Sequence, residues 1–74
     1  MIELYFRVPV EDIGYVVAVV EAYEGIAVVT APDSDCGEIV WEVPEGMLAE
    51  ARALAAALSR EIMLIEVDEL TQRR

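Results

Sequence analysis

The side chains that do most proton-transfer and nucleophilic work are scarce in this sequence. It holds no histidine and no lysine, one cysteine at position 36, and hydroxyls at Ser34, Ser59, Thr30 and Thr71 with no base set beside any of them. General bases tuned near neutrality and activated nucleophiles are drawn mainly from the missing types, which leaves carboxylates, tyrosines and one thiol. Asp33, Asp35 and Glu38 surround Cys36 and invite a metal reading. The run stops after two acidic positions and lacks the closing bidentate glutamate of a calcium loop, so it reads as an acidic hairpin turn. The same carboxylates work against a thiolate at Cys36, and an incidental thiol is the expectation. Gly14, Gly25, Gly37 and Gly46 are isolated and form no phosphate-cradling pattern. The chemistry available predicts no enzyme, no catalytic residue, no metal and no cofactor.

Charge narrows the partners. Fifteen acidic residues oppose five arginines, for a formal net charge of −10. Nucleic acids draw most of their affinity from cations that neutralise phosphates, and anionic membrane surfaces from the same source, so neither is expected as a partner. Tyr5 and Trp41 fall on segments that read as strands, yet Trp41 alternates with Ile39 and Val43 on the apolar side. Core packing accounts for it better than base stacking does. Hydrophobic residues make up 57% of the chain, well above what a chain unable to collapse carries. The opening residues show no cationic stretch leading into an apolar core, and the run Tyr15 to Val20 is far shorter than a membrane span, so a cytoplasmic protein is expected.

The elements that hold these residues follow from periodicity. Ile2, Leu4, Phe6 and Val8 alternate with Glu3, Tyr5 and Arg7, giving a first strand that Pro9 ends. Glu11 and Asp12 suit a first helical turn, and Ile13, Val16, Val20 and Tyr23 then recur at helical spacing. Gly25 stands where a left-handed cap is wanted. The valines and Gly14 lower helix propensity there, but Val10 to Glu24 is too long and too irregular for a strand. Ile26 to Ala31 reads as a second strand, Pro32 to Gly37 as a turn, and Glu38 to Val43 as a third strand. Met47 to Arg60 reads as an alanine-rich helix with a stripe of Leu48, Ala51, Leu54, Ala55 and Leu58. Ile62 to Val67 forms a last strand, and residues 68–74 a loose polar tail on a single domain spanning 1–74.

Two strand–helix–strand halves joined by a hairpin predict an α+β fold, a ferredoxin-like βαββαβ two-layer sandwich. Its four-stranded antiparallel sheet carries both helices on one face, with the first and third strands central. Leu4, Phe6, Ile39 and Trp41 then face the helices. Glu3, Tyr5, Arg7, Glu38, Val40 and Glu42 point away, joined by Ile62, Leu64 and Glu66, while Met63, Ile65 and Val67 face in. A chain of 74 residues buries only about 60% of the surface its unfolded form exposes. Self-association is an economical way to cover the remainder. The leading expectation is a non-enzymatic interaction or regulatory module that forms a homodimer through the uncovered sheet face or an edge strand, with Tyr5, Arg7, Val40, Glu42 and Leu64 as its interface.

The junction Val8-Pro9 followed by Asp12-Ile13-Gly14-Tyr15-Val16 is similar to the strand-to-helix junction of ACT regulatory domains, which share the βαββαβ order. What that likeness implies is an amino-acid-type ligand held at a dimer interface near Asp12, Ile13 and Gly14, a sensor rather than a pure interaction module. A broader likeness runs through Asp12-Ile13-Gly14-Tyr15, through Glu21 to Thr30 with Tyr23-Glu24-Gly25-Ile26-Ala27 at its centre, and through Val43-Pro44. On these residues the chain resembles a bacterial family of small stand-alone domains catalogued as domain of unknown function 4911. That resemblance implies a free-standing cytoplasmic domain and carries no catalytic residue with it.

Overall fold

A computed structural model of the 74-residue chain describes residues 1–68. The elements run in the order β1 (Ile2–Arg7), a 3-10 turn (Val10–Asp12), α1 (Ile13–Glu21), β2 (Val28–Asp33), a second 3-10 turn (Ser34–Cys36), β3 (Glu38–Val43), α2 (Leu48–Leu58) and β4 (Ile65–Val67). The strands form one sheet in the order β2-β3-β1-β4, every pair antiparallel, with β1 and β3 in the centre. This is the expected ferredoxin-like arrangement. The proposed tail lies almost wholly outside the described residues.

The core forms where the apolar face of the sheet meets the apolar stripes of both helices. Leu4, Phe6 and Val8 from β1 and its end, Ile39, Trp41 and Val43 from β3, Val16 and Val20 from α1, and Ala51, Ala55 and Leu58 from α2 are all buried in one cluster. Phe6 and Trp41 meet as a tilted aromatic pair with ring centroids 4.9 Å apart, a favourable geometry for the ring quadrupoles. The β-branched α1 is helical because its Val16 and Val20 are fully buried, so tertiary packing outweighs its weak intrinsic propensity. Tyr23, expected on the same stripe, lies beyond the helix end in the turn and is exposed.

Two turns depend on left-handed glycines. Gly25 (φ 82°) lets the chain reverse from α1 into the approach to β2. Gly37 (φ 72°) opens β3 directly against β1, where Val8 N–H donates to the Gly37 carbonyl at 2.8 Å. A Cβ at Gly37 would stand 2.1 Å from the Val8 carbonyl oxygen, so this approach needs both the φ and the missing side chain. β2 continues through Pro32 to Asp33 rather than stopping at Ala31, with a register shift between Thr30 and Asp33. An edge strand tolerates Pro because the outward N–H has no ladder partner to lose.

The last strand departs from expectation. Leu64 is buried in the helix-side cluster at 9% exposure, and Glu66 pairs with Arg52 of α2, so both face the helices. Ile65 stands opposite Arg7 and Val67 opposite Tyr5, which puts them on the far side. Met63 and Ile65 are exposed. The phase expected for β4 is therefore inverted, and Leu64 leaves the interface set because it fills the core.

Candidate functional site

The sheet face turned away from both helices draws side chains from all four strands. Register sorts them into three rows across the sheet. Val28, Glu42 and Glu3 form the first, Thr30, Val40, Tyr5 and Val67 the second, and Glu38, Arg7 and Ile65 the third. Alternation along each strand is what sends these residues to one side.

Four of the five expected interface residues are on this face: Tyr5, Arg7, Val40 and Glu42. The fifth, Leu64, is not. Val40 sits in the centre and is itself buried, at 7% exposure, so the reachable apolar surface lies around it. Val28 (58% exposed) and Ile65 (52% exposed) flank it on opposite edge strands. Sequence reasoning missed both as surface residues. For Val28 the register of the hairpin with β3 carries the signal. For Ile65 none exists, since Ile62-Met63-Leu64-Ile65 is equally apolar in either phase.

Charge on this face is sorted lengthwise. Glu3 and Glu42 stand directly opposite one another at one end, a like-charge cross-strand pair that works against pairing in the isolated sheet. Tyr5 O–H donates to Glu3 Oε1 at 2.6 Å across one strand repeat. At the other end Arg7 Nη2 donates to Glu38 Oε2 at 3.2 Å. The Glu38 carboxylate is fully buried and the guanidinium half exposed, so Arg7 lies over Glu38 as a cover and a counter-charge together.

Beside Arg7 the surface dips into a hollow of about 240 Å³ lined by Arg7, Val8, Pro9, Cys36, Met63 and Ile65, mostly apolar. The exposed Cys36 stands at its rim. Among the described residues no group of three or more His, Cys, Asp or Glu side chains converges as a metal site would require. Two other hollows lie on the helix side: one between α2 and β4, lined by Phe6, Arg52, Ala55, Ala56, Ser59, Leu64 and Glu66, and one where Tyr23 and Ile26 meet Glu50, Ala53, Leu54 and Ala57.

The junction residues Asp12, Ile13 and Gly14 line none of these three hollows. Asp12 caps α1 without a side-chain hydrogen bond, Ile13 packs against the core, and Gly14 is exposed with open space around it. Glu11 and Asp12 place carboxylates where a ligand carboxylate would have to approach. On the outer surface Tyr15 donates a hydrogen bond to Glu61 from the loop after α2. That bond and the neighbouring carboxylate charge, with a smaller effect of desolvation, hold the Tyr15 phenol above its ordinary value. No helix among the described residues is long and apolar enough to cross a membrane.

A family described as a domain of unknown function (DUF4911) matches residues 6–62, from the end of β1 to the approach to β4. No curated protein and no solved structure matches the chain.

Proposed function

We propose, for a chain that belongs to the DUF4911 family of domains of unknown function, a non-enzymatic role as a cytoplasmic interaction module that pairs with a second copy of itself through the far sheet face. The observation that carries this reading is the pattern on that face: apolar and aromatic side chains in the middle and on both edge strands, with Glu3 and Glu42 at one end and the Arg7–Glu38 pair at the other.

A two-fold axis lying in the sheet plane across the strands stacks β1 on β1 in opposite directions. Row one of each copy then lies over row three of the other, which brings Arg7 against the second copy's Glu3 twice. Tyr5 and Val67 meet their own counterparts at the centre. An axis along the strands would instead set Glu3 against Glu42, so charge chooses between the two packings. Sheets stacked face to face in this way interdigitate about 10 Å apart with their strands nearly aligned.

The size of the face limits the affinity. The molecule is a slab with extents of 29 × 27 × 17 Å, so its broad side offers no more than one partner's share of a standard interface, about 800 Å². Two copies each carrying −10 also repel. A dimer that forms at micromolar rather than nanomolar concentration is expected. Sedimentation velocity between roughly 1 and 100 µM tests this, a range over which such an equilibrium shifts visibly. Wild-type protein passes from monomer to dimer, and Ile65→Asp stays monomeric with its fold intact. A wild-type monomer throughout, or an Ile65→Asp dimer of unchanged affinity, removes the proposal.

A further inference from the structure

The hollow between α2 and β4 has a different character from the sheet face, and its chemistry fits a ligand. Arg52, Ala55, Ala56 and Ser59 occur at i, i+3, i+4 and i+7, so they form one stripe of α2. Opposite them β4 and its approach present Glu66 and Leu64, with Phe6 of β1 as the floor. The space exists because the middle of the stripe is alanine: a methyl group does not reach across to β4. Its volume is about 200 Å³, below the ~300–1,000 Å³ of sites for drug-sized ligands and worth about seven waters of liquid volume.

One ion pair bridges this hollow. Arg52 Nη1 lies 3.0 Å from Glu66 Oε1, and both side chains are about half exposed. A solvated pair of this kind contributes little to stability, so opening it is cheap. Once open, it presents a planar fork of donors on one side and a carboxylate on the other, above an apolar floor. The Ser59 hydroxyl at the end of the stripe donates to the Ala56 carbonyl at 2.7 Å and keeps its own oxygen available as an acceptor.

We infer that this hollow between α2 and β4 is a binding site for a small zwitterion, a free α-amino acid with an aliphatic side chain, whose carboxylate takes Arg52, whose ammonium takes Glu66 and whose side chain enters the space above Phe6, Ala55 and Leu64. The charge of the chain supports this class. A simple carboxylate meets a protein of net charge −10 and must sit beside Glu66; a simple amine leaves Arg52 without its counter-ion. A zwitterion exchanges one ion pair for two and carries no net charge into the field. The inference is independent of self-pairing, because the site is on the helix side of the sheet and is complete in one chain.

The test is a two-dimensional amide NMR titration of the whole chain with L-leucine, run to roughly 10 mM, where a weak site of this size saturates. Isovalerate, isoamylamine and N-acetyl-leucine amide serve as comparison probes. Saturable shifts at Arg52, Ala55, Ala56, Ser59, Leu64 and Glu66 with leucine, and at least tenfold weaker responses to all three comparison probes, support the site. Arg52→Gln and Glu66→Gln each weaken leucine binding at least tenfold, and Ala56→Leu, which fills the space with a residue of good helix propensity, abolishes it. No saturable shift, an equal response to isoamylamine alone, or undiminished binding in Ala56→Leu overturns the inference.

Discussion

Replacing Gly37 by alanine isolates a close main-chain approach between the end of β1 and the start of β3. The substitution forces a side chain into the left-handed region at φ 72°, which costs about 1–2 kcal/mol for a non-glycine residue. The new Cβ would also stand 2.1 Å from the Val8 carbonyl oxygen, a backbone atom that can retreat only by moving the end of β1. That movement strains the 2.8 Å hydrogen bond from Val8 N–H to the Gly37 carbonyl, whose net worth is about 0.5–1.5 kcal/mol. Together these give a loss of about 1.5–3.5 kcal/mol, or a fall in Tm of roughly 6–28 °C for a domain of this size. Gly25 is the control. It has φ 82° but open space where a Cβ would go, so Gly25→Ala should cost only about 1–2 kcal/mol. Urea denaturation of both variants beside the wild type, with shared slopes, reads the difference directly. If Gly37→Ala costs no more than Gly25→Ala, the tight joint between β1 and β3 described here is wrong.

The remaining predictions concern core, charge and surface. Leu58→Ala, at a core position of α2 that is 2% exposed, should lose about 2–5 kcal/mol by chemical denaturation; a loss below 1 kcal/mol would mean that α2 does not pack as described. Arg7→Met leaves the buried Glu38 carboxylate without its guanidinium and should cost about 1–3 kcal/mol, whereas a neutral result would show the pair to be dispensable. Tyr15 is held neutral by Glu61, so its proton is bound more tightly in the folded state than in the unfolded one. The stability this adds is complete below the ordinary tyrosine value and is lost as pH rises through the raised folded value. In an ultraviolet titration Glu61→Ala should therefore move the Tyr15 midpoint down towards the ordinary value; an unmoved midpoint would refute the contact. Net repulsion between copies predicts that added salt tightens the dimer, and a dimer that loosens between about 0.05 and 0.5 M salt would show that local ion pairs dominate instead.

How much of this could be read in the sequence depended on whether a segment had a second signal to fix its phase. β1 and β3 each carry charged residues at outward positions that fix the phase, Glu3 and Arg7 on one and Glu38 and Glu42 on the other, and their faces and the bounds of β3 came out as read, Trp41 included. Gly25 and Pro9 marked real boundaries because each restricts the backbone in a way no neighbour can override. β4 offered no such mark. Its four consecutive apolar residues supply a core face in either phase, and the choice is made by where the loop after α2 delivers the chain, with Leu64 over Phe6 and Glu66 near Arg52. The burial of Glu38 and Val40 on the side away from the helices was equally invisible, because it arises from neighbours on other strands rather than from pattern along one. The hollow beneath Arg52 and Glu66 joins residues of α2, β4 and β1, so no spacing rule along one element could reveal it.

Self-pairing requires direct contact between the far sheet faces of two copies. Isotope-filtered NOE spectroscopy on an equal mixture of labelled and unlabelled chains observes that contact between copies and nothing within one. Intermolecular contacts are expected among Tyr5, Val67 and Ile65, with Arg7 close to Glu3 across the interface. A dimer whose intermolecular contacts lie on α1 or α2 instead, or a sample with no such contacts at dimer-forming concentration, would contradict it.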